Sequence, residues 1–249
     1  MSSANLKRGA HSAAARIAKN PQWQLSEVTS PRLEDPVSVI AAKNIPYLPD
    51  THRLQNLSIY LPNNPETASL IGTKPDFLPA PDSPSSLPRY LVHVHGGAWR
   101  DPQLNAESIE PTVAHAFSTT DGSTPLTAIA SINYTLSRFP THPTLPYDAI
   151  NDSYADPARE ATHPQHVSDI FHGLALLRAF GLTDQSYILS GHSCGACLAL
   201  QAILQPPQYY GLENLHHAPR PAALLGLNGL YDLPQLVHGG LFRTGAEDR

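Results

Sequence analysis

Short apolar runs recur along the chain and predict the strands of a sheet. The run 54–61 (LQNLSIYL) alternates loosely between apolar and polar residues, and 90–95 (YLVHVH) alternates more regularly. The runs 126–133 (LTAIASIN), 186–190 (SYILS) and 222–228 (AALLGLN) are further short segments rich in apolar residues. Alternation with a period of two is typical of a half-buried strand, and an unbroken apolar run is typical of a buried one. We therefore expect five strands, of which 222–228 is buried.

The segments between these runs predict helices. Residues 107–117 can hold a helix that links two of the strands in parallel. From residue 167, apolar side chains recur at intervals of three and four and predict an amphipathic helix that ends near Gly181. A third helix is predicted at 196–204 and is stopped by Pro206 and Pro207. Strands that alternate with helices indicate the α/β class, with a mostly parallel sheet flanked by helices, and no internal repeat is visible.

The length of 249 residues fits one domain with a large core, since single domains of this class run to about 250 residues. We expect residues 1–50 to form an N-terminal extension that is partly disordered, and residues 51–249 to form the α/β domain. Proline is frequent, and seven prolines fall between Pro62 and Pro88. This composition predicts a stiff, proline-rich surface loop at 62–88.

The charge balance narrows the class of partner. Charged residues make up 15% of the chain and the formal net charge is -5, so no basic field indicates nucleic acid or an anionic membrane. No run approaches the roughly 18 apolar residues that a membrane span requires. A small-molecule partner is therefore expected, with no nucleic acid and no membrane.

Cysteine usage and the first 20 residues bear on the compartment. Cys194 and Cys197 lie three positions apart and give no spaced disulfide framework, which favours the cytoplasm. Residues 1–20 contain four basic residues and no acid, together with many Ser and Ala. That composition is typical of a mitochondrial transit peptide, so a mitochondrial location is the alternative.

The candidate chemistry centres on Ser193 within Gly191-His192-Ser193-Cys194-Gly195. This pattern lies between a predicted strand and an apolar helix, which is the setting of a nucleophile elbow. Such a turn holds a serine hydroxyl above the sheet at a helix N-terminus, where it can attack a carbonyl carbon. The alternative is a tight strand-to-helix turn with an inert serine.

A second motif, His95-Gly96-Gly97-Ala98-Trp99, follows the strand 90–95. Acyl transfer places negative charge on the former carbonyl oxygen, and each preorganised N–H donor there contributes about 3–4 kcal/mol. Glycines allow the backbone to approach that oxygen closely. The N–H groups of Gly96 or Gly97, with that of Cys194, would form this oxyanion hole. The alternative is an ordinary glycine turn after a strand.

Together these two motifs resemble the α/β-hydrolase superfamily, in its esterase/lipase branch with an HGG oxyanion motif. The HGGxW form, the prolines before it and residues 228–233 (NGLYDL) resemble kynurenine formamidase of the fungal type. The resemblance covers roughly residues 54–237 and leaves other carboxylesterases open. Cys194 departs from the family, whose members usually carry alanine there, but its backbone N–H is unaffected.

The resemblance implies hydrolysis of N-formyl-L-kynurenine to L-kynurenine and formate, a step of tryptophan degradation towards NAD. It implies no metal and no organic cofactor. Ser193 would attack the formyl carbon, a histidine would take its proton, and a carboxylate would orient that histidine. His95, Trp99 and His192 are candidates for the substrate pocket. For Trp99 the alternative is a core aromatic that supports the HGG turn.

The triad acid and histidine are not evident. In this fold they follow the serine in the order Ser, acid, His, and only 56 residues follow Ser193. The histidines and acids in that stretch are His216, His217, His238, Glu213, Asp232, Glu247 and Asp248. Asp232 is a candidate acid because it follows the strand after the elbow, although the family's acid lies after a later strand.

We therefore expect a sheet truncated after the strand that follows the elbow. A chain without the histidine would lack turnover and would not be labelled at Ser193 by a fluorophosphonate. The exposed sheet edge would favour association, including a homodimer.

Other classes of function stay open at this point. The segment from Cys194 to Cys197 is a CxxC at a helix N-terminus, the setting of thiol oxidoreductases with a lowered thiol pKa. The pairs His93/His95 and His163/His166 are the candidates for zinc, although no H-E-x-x-H accompanies them. A non-catalytic hydrolase-like fragment that binds a partner is a third alternative.

Overall fold

A seven-stranded mixed sheet organises the computed structural model, which describes residues 20–80, 88–118, 126–215 and 218–238. The strands are β1 Gln24–Val28, β2 Val37–Pro46, β3 Asn56–Pro62, β4 Tyr90–Val94, β5 Ala128–Ile132, β6 Tyr187–His192 and β7 Ala223–Leu227. The helices are α1 Pro65–Ala68, α2 Glu110–Phe117, α3 Gln165–Ala179, α4 Cys194–Leu204 and α5 Leu233–His238. Short 3-10 turns occur at Ala106–Ile109, Pro157–Arg159 and Pro207–Tyr210.

The spatial order of the strands is β1-β2-β3-β5-β4-β6-β7. The pairs β5/β4, β4/β6 and β6/β7 are parallel, whereas β1/β2, β2/β3 and β3/β5 are antiparallel. Five strands therefore run in one direction, and only β1 and β3 oppose them. The predicted fold class, an α/β domain with a mostly parallel sheet flanked by helices, is confirmed.

Two apolar clusters cover opposite faces of the sheet. The larger cluster joins the strands to α3 and α4, with Leu174 and Leu198 among its buried side chains. The smaller cluster joins β2, β3 and β5 to α2 through Val113 and Phe117. Each fully buried Leu, Val or Phe stabilises the fold by about 1.5–3 kcal/mol relative to exposure, so the two layers hold the strand ends in place. Among the described helices, none is long and apolar enough to cross a lipid bilayer.

The predicted boundary at residue 50 is wrong for the strands that precede it. β1 and β2 lie within the predicted extension and form one side of the sheet, with Val39 and Ile40 fully buried. The period of two in β2 is broken by a bulge between Ala42 and Ile45, where Asn44 has φ 57°. Because of this interruption, the alternation of apolar and polar residues does not indicate the strand. Residues 1–19, on which the predicted disorder and the transit segment fall, lie outside the described residues.

The strand predicted at 222–228 is present as β7, but the prediction that it is buried is wrong. β7 is the last strand in the sheet and all five of its residues are exposed, including Leu225 at 48%. Its apolar composition is that of a covered strand, although its contacts with β6 and α4 leave all five residues exposed. The helix α5 after β7 was not predicted by the sequence pattern.

Candidate active site

Ser193 occupies a sharp turn between β6 and α4. Its backbone has φ 54° and ψ -122°, outside the regions that a residue with a side chain prefers. The Ser193 N–H donates to the carbonyl of Leu227, at 2.8 Å, which ties the turn to the end of β7. The side chain is partly exposed. The sequence pattern therefore placed the strand-to-helix turn correctly, with a serine at its apex.

The turn lies unusually close to the end of β4. A Cβ atom on Gly195 would be 2.3 Å from the carbonyl oxygen of Val94 and 2.4 Å from that of His95. Atoms cannot approach so closely, so only glycine allows α4 to begin against this strand. The first turn of α4 is thereby held at the segment that follows β4.

That segment is the HGG motif, and it lies beside Ser193. A Cβ on Gly96 would be 3.4 Å from Ser193 Cβ and 2.8 Å from His192 Nδ1. The chain then turns tightly, since Gly97, Ala98 and Trp99 all have positive φ, at 108°, 48° and 62°. The two motifs that are far apart in the sequence are thus brought together.

Three backbone N–H groups near Ser193 are candidate donors to an oxyanion. Those of Gly96, Gly97 and Cys194 donate no hydrogen bond to any residue in the described part of the chain. Cys194 is the first residue of α4, where helix geometry leaves the N–H without a partner and the helix dipole favours negative charge. These groups are available to an oxygen atom that develops charge.

The side chain of His95 supports the HGG turn on its buried side. This side chain is itself buried, and Nδ1 donates to the carbonyl of Gly96 at 2.8 Å. Burial disfavours the charged imidazole and lowers the pKa of His95 to about 4. The ring is therefore neutral at physiological pH, with its proton on Nδ1. This buried, neutral ring is placed to fix the turn.

Tyr134, which the sequence reading did not single out, contacts both motifs. Its hydroxyl donates to the carbonyls of His95 and Gly96, at 3.2 and 3.1 Å, and lies 3.4 Å from Cys194 Sγ. Its ring stacks on His95 with the centroids 4.3 Å apart. The contacts span 39 and 60 positions of sequence, so no local pattern could indicate them.

Trp99 is held at its backbone and packs on the core. Its N–H donates to Cys194 Sγ at 3.3 Å, and its carbonyl accepts from the N–H of Ser137 at 2.8 Å. The partly buried indole lies against the larger apolar cluster. These contacts favour the role of a core aromatic over that of a pocket wall.

The remaining predicted residues are placed differently. His192 is exposed at the end of β6. Asp232 is also exposed, and its Oδ1 accepts from the N–H of Gln235 at 2.9 Å, which caps the first turn of α5. In the described ranges, no histidine or carboxylate makes a hydrogen bond with Ser193 Oγ. His216 and His217 lie outside the described residues.

The thiols do not have the properties of a redox pair. Cys194 and Cys197 are both free and buried. Burial raises the pKa of each thiol above its ordinary value, whereas a reactive CxxC requires a lowered one. Burial and the raised pKa values of both thiols therefore do not favour the thiol oxidoreductase hypothesis.

The histidines proposed for zinc have other partners. His93 Nδ1 lies 2.9 Å from Ser190 Oγ, and His166 Nε2 lies 3.0 Å from Ser137 Oγ. Within the described ranges, no three His, Cys, Asp or Glu side chains are grouped so as to hold a metal ion.

Comparison with known proteins gives relatives of one kind. The chain is 34% identical over 194 residues to a kynurenine formamidase-like hydrolase of Fusarium equiseti, covering 77% of this chain and 57% of that protein. It is 31% identical over 155 residues to a kynurenine formamidase of Aspergillus versicolor, covering 61% and 48%. A kynurenine formamidase of Meyerozyma guilliermondii is 32% identical over 152 residues, covering 59% and 45%. The chain thus spans about half the length of the curated relatives it matches. No family model matches.

Solved structures of hydrolases are also similar. An inhibited esterase B from Lactobacillus rhamnosis has a TM-score of 0.49 and 15% identity, covering 94% of this chain and 57% of that chain. A tannin acyl hydrolase from Lactobacillus plantarum has a TM-score of 0.46 and 16% identity, covering 80% and 40%.

Proposed function

We propose that this chain carries the nucleophile and the oxyanion-binding groups of a serine hydrolase that cleaves N-formyl-L-kynurenine to L-kynurenine and formate. The observation that carries the proposal is the placement of Gly96 against Ser193 at the strained turn before α4. The relatives named kynurenine formamidase support the choice of an aryl formamide as substrate.

The proposed reaction begins when Ser193 Oγ attacks the formyl carbon and loses its proton to a base. The carbonyl oxygen becomes an oxyanion, which the N–H groups of Gly96 or Gly97 and of Cys194 would bind. Collapse of this tetrahedral intermediate breaks the C–N bond, and the aryl amine leaves with a proton. Water then attacks the formyl-serine, which releases formate and restores the hydroxyl.

The base is the part of this scheme that we assign to no described residue, because none of them hydrogen-bonds Ser193 Oγ. Asp232 stays a candidate for the orienting acid, although its carboxylate caps α5. A serine without a base is a weak nucleophile, so we expect slow turnover as long as no residue takes the proton of Ser193.

An external base provides the test. Free imidazole can take the proton of a serine whose own histidine is not in place. We expect it to accelerate the release of formate from N-formyl-L-kynurenine by the wild-type chain, measured with the change in absorbance of the aryl amine. The matched control is Ser193→Ala, which keeps the fold and removes only the nucleophile. Imidazole-dependent hydrolysis that persists in this variant would show that Ser193 is not the nucleophile.

Two other results would redirect the proposal. Cleavage of an activated ester such as 4-nitrophenyl acetate at Ser193, with no cleavage of the formamide, would favour a carboxylesterase. Absence of any Ser193-dependent reaction, with and without imidazole, would favour a non-catalytic hydrolase-like protein.

A further inference from the structure

The two halves of the candidate oxyanion hole come from distant parts of the chain. Gly96 and Gly97 follow β4, whereas Cys194 begins α4. An oxyanion hole works only when its donors lie about 2.7–3.1 Å from the developing charge. Displacement of one half by a few tenths of an ångström would therefore weaken it. Contacts between the halves must hold this geometry.

The hydroxyl of Tyr134 makes such contacts with both halves. Its single proton is shared between the carbonyls of His95 and Gly96, at 3.2 and 3.1 Å. Because that proton is engaged, the contact of 3.4 Å with Cys194 Sγ is satisfied when the thiol donates to the phenol oxygen. The thiol in turn accepts the N–H of Trp99 at 3.3 Å. A continuous series of hydrogen bonds thus joins the HGG turn to the first residue of α4.

The two carbonyls belong to the peptide groups that contain the candidate donors. The carbonyl of His95 and the N–H of Gly96 share one planar peptide, as do the carbonyl of Gly96 and the N–H of Gly97. In a trans peptide the C=O and N–H bonds point in opposite directions, so fixing the carbonyl fixes the N–H. A hydroxyl that holds both carbonyls on the buried side directs both N–H groups away from that side.

The surroundings keep the hydroxyl in place. Tyr134 is fully buried, and its ring is stacked on His95 at an interplanar angle of 11°. His95 Nδ1 also donates to the Gly96 carbonyl, at 2.8 Å, so this carbonyl accepts from two groups. Burial raises the pKa of Tyr134 well above its usual value, which keeps the phenol protonated and able to donate.

We infer that Tyr134 is a positioning residue, whose hydroxyl sets the orientation of the Gly96 and Gly97 N–H groups relative to Cys194. The role in catalysis rests on the proposed function, whereas the orientation of the amides does not. Tyr134 touches no reacting atom in this scheme. It acts through the peptide groups that it holds.

The test is Tyr134→Phe, which removes the hydroxyl and keeps the ring on His95. We expect the N–H groups of Gly96 and Gly97 to change direction once the hydroxyl no longer holds the carbonyls of their peptide groups, and changed residual dipolar couplings of these two amides in NMR measure it. In imidazole-supported hydrolysis we expect kcat to fall about tenfold and KM to change less than about twofold, because substrate binding does not need the oxyanion contact.

Tyr187→Phe is the matched control. Tyr187 is also fully buried and donates to a backbone carbonyl, that of Pro219, at 2.6 Å. It begins β6, about 20 Å along the strand from Ser193 at roughly 3.3 Å per residue. A similar loss of stability is therefore expected, with no change at Gly96, Gly97 or in kcat.

The outcomes separate the inference from the function beneath it. Unchanged residual dipolar couplings of the two amides in Tyr134→Phe overturn the inference, whatever the enzyme activity. Changed couplings with an unchanged kcat overturn its catalytic part. Changed couplings in a protein without any Ser193-dependent hydrolysis support the positioning of the amides and contradict the proposed function instead. Changed couplings together with a lower kcat support both.

Discussion

At the scale of single residues, the candidate site depends on backbone conformations that cannot be recognised from the residue types. Ser193, Ala98 and Trp99 all have positive φ although each carries a side chain. Such conformations cost about 1–3 kcal/mol each and persist only where surrounding contacts enforce them. The N–H of Ser193 is bound by Leu227, and that of Trp99 by the Cys194 thiol. The strain is thus located at the two motifs that meet, and hydrogen bonds between distant segments maintain it.

The Cys194 thiol is the acceptor in one of these bonds, and removing it has a predictable cost. Cys194→Ala leaves the Trp99 N–H unpaired in a half-buried turn, so we expect a loss of about 1–2 kcal/mol in the free energy of unfolding. Cys197→Ala is the control, because Cys197 is buried one turn later and makes no side-chain hydrogen bond to a described residue. Urea unfolding of the three proteins measures the difference. Equal losses in the two variants would show that the bond from Trp99 to the thiol contributes nothing.

At the scale of elements, the sequence predicts strands and helices whose apolar residues recur at regular intervals. It misses the elements whose formation depends on contacts with other segments. The strands β3 to β6 were found close to their observed bounds because their apolar residues are buried on at least one face. β2 was missed because the bulge before Ile45 breaks its alternation. The elbow helix starts at Cys194 rather than at the predicted Ala196, because the turn leads directly into it. α5 is short and contains Pro234, and its start depends on the cap from Asp232.

The same limit applies to the site. The glycine motifs are visible because close backbone approach restricts the residue type, as the contacts of Gly96 and Gly195 show. The role of Tyr134 cannot be recognised in the sequence, because the end of an apolar strand is compatible with many aromatic residues. Only the fold brings its hydroxyl to the HGG turn. The sequence thus indicated the candidate groups, and the structure shows which contacts hold them.

The exposed strand β7 leads to a prediction about association. Leu225 and Leu227 are 48% and 45% exposed at the edge of the sheet, where free backbone groups can pair with another strand. We expect Leu225→Glu to reduce concentration-dependent self-association, measured by sedimentation velocity. The exposed site predicts a change in stability within about 0.5 kcal/mol. Leu25→Glu, at a leucine of β1 that is 59% exposed at the opposite edge, is the control. Equal self-association of wild type and Leu225→Glu would show that β7 is not the contact.

At the scale of the whole molecule, three buried histidines of the described core have uncharged groups as their direct hydrogen-bond partners. His93 lies beside Ser190 in the sheet, His95 lies beneath the HGG turn, and His166 lies beside Ser137 at the start of α3. Burial lowers the pKa of all three to about 4. Their direct hydrogen-bond partners are hydroxyl or carbonyl groups, which can pair with a neutral ring. The fold therefore depends on keeping these rings uncharged.

This arrangement predicts acid sensitivity with a defined range. At a pH more than about one unit above 6.5 the three histidines are almost entirely neutral in both the folded and the unfolded chain. As the pH falls from 6.5 to about 4, the unfolded chain binds protons that the folded one does not, so the free energy of unfolding decreases. The loss approaches about 3 kcal/mol for each histidine and then levels off, because the folded state also binds protons below its own pKa.

Urea unfolding across this range measures the dependence, and His166→Gln isolates one contribution. Glutamine can still donate to Ser137 Oγ but cannot titrate. The pH dependence of the free energy of unfolding should therefore decrease by the contribution of one titrating group. The half-buried His52 and His172 have pKa values lowered in the same direction by burial, so they add to the slope in both proteins. An identical slope in wild type and His166→Gln would mean that His166 is charged in the fold or accessible to protons. A weaker pH dependence of the free energy of unfolding in His166→Gln would show that the folded state requires a neutral imidazole at the start of α3. The variant lacks this titrating group, and that loss alone would account for the difference.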